Sequence, residues 1–249
     1  MSVWTPPLFP GKPTVTFFGQ AGFYFVLKNG VSVAVDLYLS DCCDRYFGFK
    51  RLLPYLVSPS DLHPDWLIAT HAHYDHFDPD SVPILMADGR TRLLCAKDVR
   101  QETERLNLDA SRITFLSAGD RWEGPGFSLR AMPCDHGPDT PHAIGVLLSF
   151  DGRKVYLAGD TCFRPDIFSD QELSGADLAI LPINGAYGNM NEAEAARAAG
   201  ILRPKLTVPC HYWNFAQHGG DPALFCEAMK EQNGSLPLAL MRPGETLPL

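Results

Sequence analysis

The chain has 249 residues, 45% hydrophobic and 20% charged, with a formal net charge of −8. That is enough for one large domain or two small ones with a sizeable core, in a composition ordinary for a soluble globular protein. The acidic balance argues against a general nucleic-acid binder, which carries a basic face, while leaving room for a local basic pocket. Met1 to Pro7 reads as neither a signal peptide nor a membrane span. Seven cysteines, an odd number without a repeating spacing, argue against a disulfide framework. A cytoplasmic protein without integral membrane contact is expected.

In chain order, Thr14 to Gly19 is strand-like, Gly19-Gln20-Ala21-Gly22 is a turn, and Phe23 to Leu27 is a second strand. Asn29-Gly30 is a two-residue hairpin signal into Val31–Val35, which ends at Asp36. Residues 37–64 are irregular and rich in aromatics (Tyr38, Tyr46, Phe47, Phe49, Tyr55) with Arg45, Lys50, Arg51 and vicinal Cys42-Cys43. They suit a lid over an anionic substrate or a loop packed on a partner subunit, with the cysteines as packing residues. Asp65 to Thr70 reads as a buried strand, followed by a loop in which Asp78 suits an N-cap and Pro79 the first turn of a helix continuing to Met86.

Strands are then predicted at Arg92–Cys95, Ile113–Leu116, Phe127–Met132, Ile144–Phe150, Lys154–Ala158, Asp177–Pro182 and Leu206–Pro209. Helices are predicted at Asp98–Asn107, Glu192–Leu202, with Asn191 and Glu194 at capping-box spacing, and Asp221–Lys230. Leu238–Met241 closes the tail. Strands alternate with helices in both halves and antiparallel hairpins open each, which indicates one α/β sandwich domain without a linker.

The loop after the Asp65–Thr70 strand reads His71-Ala72-His73-Tyr74-Asp75-His76. Three histidines and an aspartate at the C-terminal end of a strand, the usual site position in layered α/β folds, offer donors for Zn, Mn, Fe or Ni. Three more candidates follow other strands or hairpins: His136, Asp160 in Gly-Asp-Thr, and His211, with His142 competing for the role of His136.

His-x-His-x-Asp-His after a strand, with those later residues in order, resembles the metallo-β-lactamase superfamily. The resemblance implies a four-layer αβ/βα sandwich with its site at one edge of the paired sheets. It implies two divalent metal ions, one held by His71, His73 and His136, the other by Asp75, His76 and His211, with Asp160 bridging. Asp36 would support the metal loop from behind. Redox di-iron relatives usually carry a carboxylate where His73 stands, which disfavours that branch. Pro182 to Met190, Arg203 to Phe215 and Asp36 to Asp41 look like the ascorbate-6-phosphate lactonase-like (UlaG-like) branch.

That branch implies hydrolysis of a small lactone or ester, phosphorylated or not, by a metal-bridging hydroxide. Zn or Mn are the foremost ions, with Fe and Ni open. Asn184, Tyr187 and His218 are candidate hydrogen-bond donors to an anionic transition state beside Asp75 and Asp160. Arg45 and Arg164 are candidate phosphate clamps, and Trp213 and Phe215 candidate pocket wall or core. A phosphodiesterase of lipid or nucleotide diesters is the alternative, and a non-catalytic metal-binding or sensing protein a third reading. The partners expected are a small anionic substrate and no nucleic acid, with homo-oligomerisation left open.

Overall fold

The computed structural model describes residues 4, 5, 7, 9 and 11–249; Met1, Ser2, Val3 and Pro6, on which the reading of the opening segment partly rests, lie outside the described residues. The first half of the chain runs β1 (Thr14–Gly19), β2 (Gly22–Val26), β3 (Ser32–Val35), α1 (Cys42–Phe47), β4 (Trp66–Ala69), α2 (Ser81–Leu85), β5 (Arg92–Ala96), α3 (Arg100–Arg105) and β6 (Ile113–Leu116). The second runs β7 (Arg121–Gly124), β8 (Phe127–Pro133), β9 (Ile144–Phe150), β10 (Arg153–Leu157), α4 (Pro165–Phe168), β11 (Leu178–Pro182), α5 (Glu192–Leu202), β12 (Thr207–Cys210), α6 (Pro222–Asn233) and β13 (Thr246–Pro248).

The strands form two mixed sheets, ordered β13-β1-β2-β3-β4-β5-β6 and β12-β11-β10-β9-β8-β7. Each begins as antiparallel hairpins and becomes parallel, at β3–β4 in one and at β10–β11 in the other. Inner faces of both sheets feed one continuous core, with Phe25 of β2 meeting Phe150 of β9 edge-on at 6.2 Å. Strands such as β1, β3, β11 and β12 are buried throughout instead of alternating. Their outer faces are covered too, as where Trp4 packs on Phe18 and Tyr24, and a strand covered on both sides reads as a continuous apolar run.

Most predicted elements stand within a residue or two. The Asn29-Gly30 turn closes through Gly30 N donating to the Leu27 carbonyl, and α5 has both halves of its capping box. Four departures have physical causes. The helix expected from Asp98 begins as a 3₁₀ turn over Lys97–Val99 before α3. β7, Arg-Trp-Glu-Gly, is a polar edge strand, the kind whose charges blunt an exposed edge and hide its strand character. The true terminal strand is β13, paired with β1, whereas Leu238 makes only an isolated bridge to Thr207. Finally, α2 starts at Ser81, not at Pro79. The N-cap position is therefore Asp80, whose side chain makes no capping bond, while Asp78 accepts from the Asp80 and Ser81 amides and the Ser81 hydroxyl just before the helix. The same carboxylate also accepts from Leu39 N and Ser40 Oγ, stapling the metal loop to the segment after β3.

Among the described residues no helix is long and apolar enough to cross a membrane. The seven cysteines are all free, and Cys42 and Cys43 are buried packing residues, as expected.

Candidate metal centre

Every predicted ligand lies past the C-terminal end of a strand, on the same edge of the paired sheets. Two hydrogen bonds tie the halves together there: Ile144 N to the Thr70 carbonyl (3.0 Å), and His211 N to the Gln20 carbonyl (2.7 Å). Gly159 sits in this seam at φ +66°, where a Cβ would come within 2.9 Å of the Ile144 carbonyl oxygen. Only glycine meets both demands.

His71, His73 and His136 converge on one point. His73 Nδ1 lies 3.0 Å from His71 Nε2 and 3.1 Å from His136 Nε2. Four-coordinate zinc, with Zn–N bonds of about 2.0–2.1 Å, spaces its donors roughly 3.3 Å apart. Burial lowers the pKa of all three imidazoles, that of His136 to about 4. They are therefore neutral, and three crowded nitrogens then hold too few protons to satisfy one another. A cation is the group that resolves such a cluster.

Beside it, His211 Nε2 lies 3.3 Å from Asp75 Oδ2 and 3.2 Å from His76 Nε2. Asp160 stands between the groups. Its Oδ2 is 3.0 Å from His211 Nε2 and 3.7 Å from His136 Nε2, and its Oδ1 is 3.3 Å from His76 Nε2. Asp160 Oδ1 is shut off from solvent without a well-aligned hydrogen-bond donor. A buried anionic oxygen in that state fits a ligand atom awaiting a cation. The donor set and its spacing thus fit divalent ions, and His71, His73, His136, Asp75, His76, His211 and Asp160 are the residues that would hold them.

The electrostatics divide the histidines. Burial opposes a charge on His76, yet Asp160, Asp75 and Asp36 overcome it and hold its pKa well above the ordinary value. His211 is pushed up to about 9 against burial by Asp160 and Asp75. Burial would likewise raise both carboxylates, but His76 and His211 hold Asp75 and Asp160 well below the usual range. These two imidazolium groups balance the buried acids, and a divalent ion bound here would take the place of their Nε2 protons.

Behind the loop, Asp36 accepts from Thr70 N (2.8 Å), Thr70 Oγ1 (2.7 Å) and His76 Nδ1 (2.9 Å). That is the supporting role expected of it, and it leaves His76 Nε2 facing the ligand cluster. Asp36 and His211 adopt φ of +49° and +64°, a region costly for residues with a side chain and common where a site dictates backbone shape.

The chain belongs to the metallo-β-lactamase superfamily. The family model described as the beta-lactamase superfamily domain matches residues 38–212. UPF0173 metal-dependent hydrolase STH3160 of Symbiobacterium thermophilum is 31% identical over 78% of this chain and 85% of its own length. A UPF0173 metal-dependent hydrolase of Archaeoglobus fulgidus is 27% identical over 93% of this chain and 97% of its own. Among solved structures, the metallo hydrolase Igni18 of Ignicoccus hospitalis superposes with a TM-score of 0.75 at 26% identity, covering 96% of this chain and 98% of its own. The two-sheet architecture and the class of metal-dependent hydrolase follow from these matches.

The remaining candidates divide. A cavity of about 240 Å³ opens above the ligands, and His218 and Tyr187 line it. His218 also comes within ligand range of Asp75 and His211, its ring stacked on His211 at 4.8 Å and its pKa lowered to about 4 by burial and by His211. Asn184 does not line the cavity; its Nδ2 donates to the Ala186 carbonyl and shapes the loop that carries Tyr187. His142 sits with Asp98 in a separate surface depression, away from the cluster that His136 joins. Phe215 is buried against Tyr38 and Phe49, but Trp213 points outward on a φ of +60° and is neither core nor wall of this cavity.

The segment 37–64 does reach over the site, through Cys43, Phe47 and Phe49. Its cations do not. Arg45 pairs with Asp80 at 2.6 Å, and Arg51 donates to the carbonyls of Tyr38 and Ser40. Arg164, the other expected clamp, is held by Asp135 and Asp166. One site residue escaped sequence reading altogether. Gln20, buried in the β1–β2 turn, donates from Nε2 to Asp75 Oδ2 at 2.7 Å and lies 3.2 Å from His218 Nδ1. A polar residue in a tight turn normally faces solvent, so no sequence signal marks it.

Proposed function

We propose that the chain is a hydrolase of small esters or lactones that works with two divalent ions, Zn or Mn foremost. The observation that carries this reading is the pair of donor clusters joined by Asp160 on the floor of a small cavity. Bound there, the ions would acidify a water and polarise the substrate carbonyl. The reaction adds water across the acyl carbon, breaks the carbon–oxygen bond and delivers a proton to the leaving oxygen, giving acid and alcohol. Asp75, which accepts from Gln20 Nε2 and stands beside His211, is placed as a carboxylate next to the reacting atoms. His218 and Tyr187 can present N–H and O–H groups where the substrate oxygen becomes anionic. The lactonase-like motifs favour an ester or lactone over a phosphodiester, and the net charge of −8 supports a substrate other than nucleic acid.

The test is hydrolysis by metal-stripped protein reloaded separately with Mn and with Zn, a lactone and an activated phosphodiester side by side. Lactone turnover restored by metal and abolished in Asp160→Asn is the expected result. Preference for the diester would move the protein to the phosphodiesterase reading. Metal binding without turnover of either would point to a sensing or storage role.

A further inference from the structure

The cavity above the ligands carries its own information about what enters it. Its wall above the ligand set is largely aromatic, formed by Phe47, Phe49, Tyr74 and Tyr187, and among the described residues no Lys or Arg lines it. The rings form one connected surface: Phe47 lies 5.6 Å from Tyr74, Phe49 lies 5.8 Å from Tyr187, and both Phe49 and Tyr187 touch the His218 ring. The nearby arginines are already engaged by carboxylates or backbone carbonyls. A phosphate remote from the scissile bond would have to lie against aromatic rings without a cationic side chain to pair it, and an unpaired charge against an apolar wall is disfavoured.

Tyr187 supplies an independent observation. It is 57% exposed and held at φ +54° in a loop where Gly185, two residues before it, and Gly188, just after it, are also at positive φ. The loop is fixed by Gly185 N to the Met190 carbonyl, Asn189 N to the Ala186 carbonyl, and Asn184 Nδ2 to the Ala186 carbonyl. A non-glycine residue in that region is disfavoured, and nothing in the core requires this ring. What the strained backbone achieves is to hang an exposed aromatic over the cavity mouth.

We infer that the site takes an uncharged substrate whose body is a single aromatic ring or a similarly flat apolar group, resting on Phe49 and Tyr187 with its scissile bond toward the ligands. This deepens the proposed hydrolase and rests on it. The size agrees, because an apolar cavity of roughly 150 Å³ already admits benzene and the space here is about 240 Å³, enough for one ring and the group to be cleaved.

The experiment uses Mn-loaded protein with metal content verified, and three probes: γ-phenyl-γ-butyrolactone, unsubstituted γ-butyrolactone and a phosphorylated sugar lactone. The phenyl lactone is expected to exceed the phosphorylated one in kcat/KM by about tenfold or more, the scale of one well-seated aromatic contact. Tyr187→Ala should remove most of that preference, chiefly through KM, and Tyr187→Phe should retain it, which separates the ring from its hydroxyl. Equal or reversed preference would overturn the inference while leaving the hydrolase standing. If metal-loaded protein turned over none of the three, the lactone-hydrolase reading would fall. Ligand-observed NMR with the phenyl lactam, a non-hydrolysed isostere, would then decide the inference: binding weaker than that of the phosphorylated lactone overturns it, and binding at least tenfold tighter upholds it.

Discussion

Asp36→Asn isolates the support behind the metal loop with almost no change in shape. Asparagine tolerates the left-handed backbone that Asp36 occupies at φ +49°, and the volume is conserved. Thr70 N–H, 2.8 Å from Asp36 Oδ1, dictates that the new amide places its oxygen there. Its NH₂ group must then face Thr70 Oγ1 and His76 Nδ1, where the carboxylate had accepted at 2.7 and 2.9 Å. A donor opposite Nδ1 turns that nitrogen into an acceptor and moves the imidazole proton to Nε2, the atom that faces His211 and Asp160. The lone pair needed for a ligand is lost. Removing such a supporting partner typically costs 10–100-fold in metal affinity, about 1.4–2.7 kcal/mol. The metal-free protein loses as well, because the buried hydrogen bond from charged His76 is worth about 1.5–3 kcal/mol. The assay is chelator-competition titration with Mn and Zn, paired with thermal melts of the stripped protein. Parent-like affinity and an unchanged melt in Asp36→Asn would refute the reasoning.

Three other outcomes are expected. Asp160→Ala should lower bound metal and abolish turnover together, since Asp160 touches both donor groups; elemental analysis beside the rate checks this. Asn191→Ala removes the acceptor for Glu194 N at 2.9 Å and should lower stability by about 1 kcal/mol without changing metal content, read by urea melts. Asp98 is raised from 3.8 to about 6, chiefly by burial, with His142 opposing. A carboxyl raised on folding favours the native state at low pH and loses that contribution as pH rises through about 6. The rise corresponds to roughly 3 kcal/mol undiscounted, and solvent reaching the half-buried side chain reduces it to about 1–2 kcal/mol. Asp98→Asn should therefore melt higher than the parent at pH 8 and equal to it at pH 4; equal melts at both would discard the assignment.

How much of this was legible in the sequence follows from how each residue reaches the site. His71 to His76 could be read because four donors stand within six residues after an apolar strand. His136, Asp160 and His211 could be read because each follows a recognisable strand or hairpin in the order that the resemblance to the metallo-β-lactamase superfamily implies. Gln20 was illegible: it belongs to a turn, and only the hydrogen bond from His211 N to its carbonyl brings that turn to the ligands. His218 could be named but not placed, because its position depends on the loop after β12 bridging back at Arg51↔Phe215. The arginines misled for a related reason. Their distant acidic partners, Asp80 for Arg45 and Asp135 for Arg164, are unremarkable in sequence until the fold brings them within 3 Å, and Asp166, two residues from Arg164, adds a local pair.

The same division separates chemistry from selectivity. Ligands sit at strand ends, whose directions are fixed by two packed sheets, so a strand pattern carries information about them. The cavity wall comes from 37–64 and from the Tyr187 loop, where aromatic composition is visible but orientation depends on backbone at positive φ that no residue type announces. The continuous core does not contain the ligands themselves, and His76 and His211 hold protons that balance Asp75, Asp160 and Asp36 when no ion is bound. The apolar core extends across both sheets beyond the ligand cluster, unlike in small domains whose core is the metal. In that arrangement the imidazolium protons keep the buried acids tolerable, and cations would take the place of those protons.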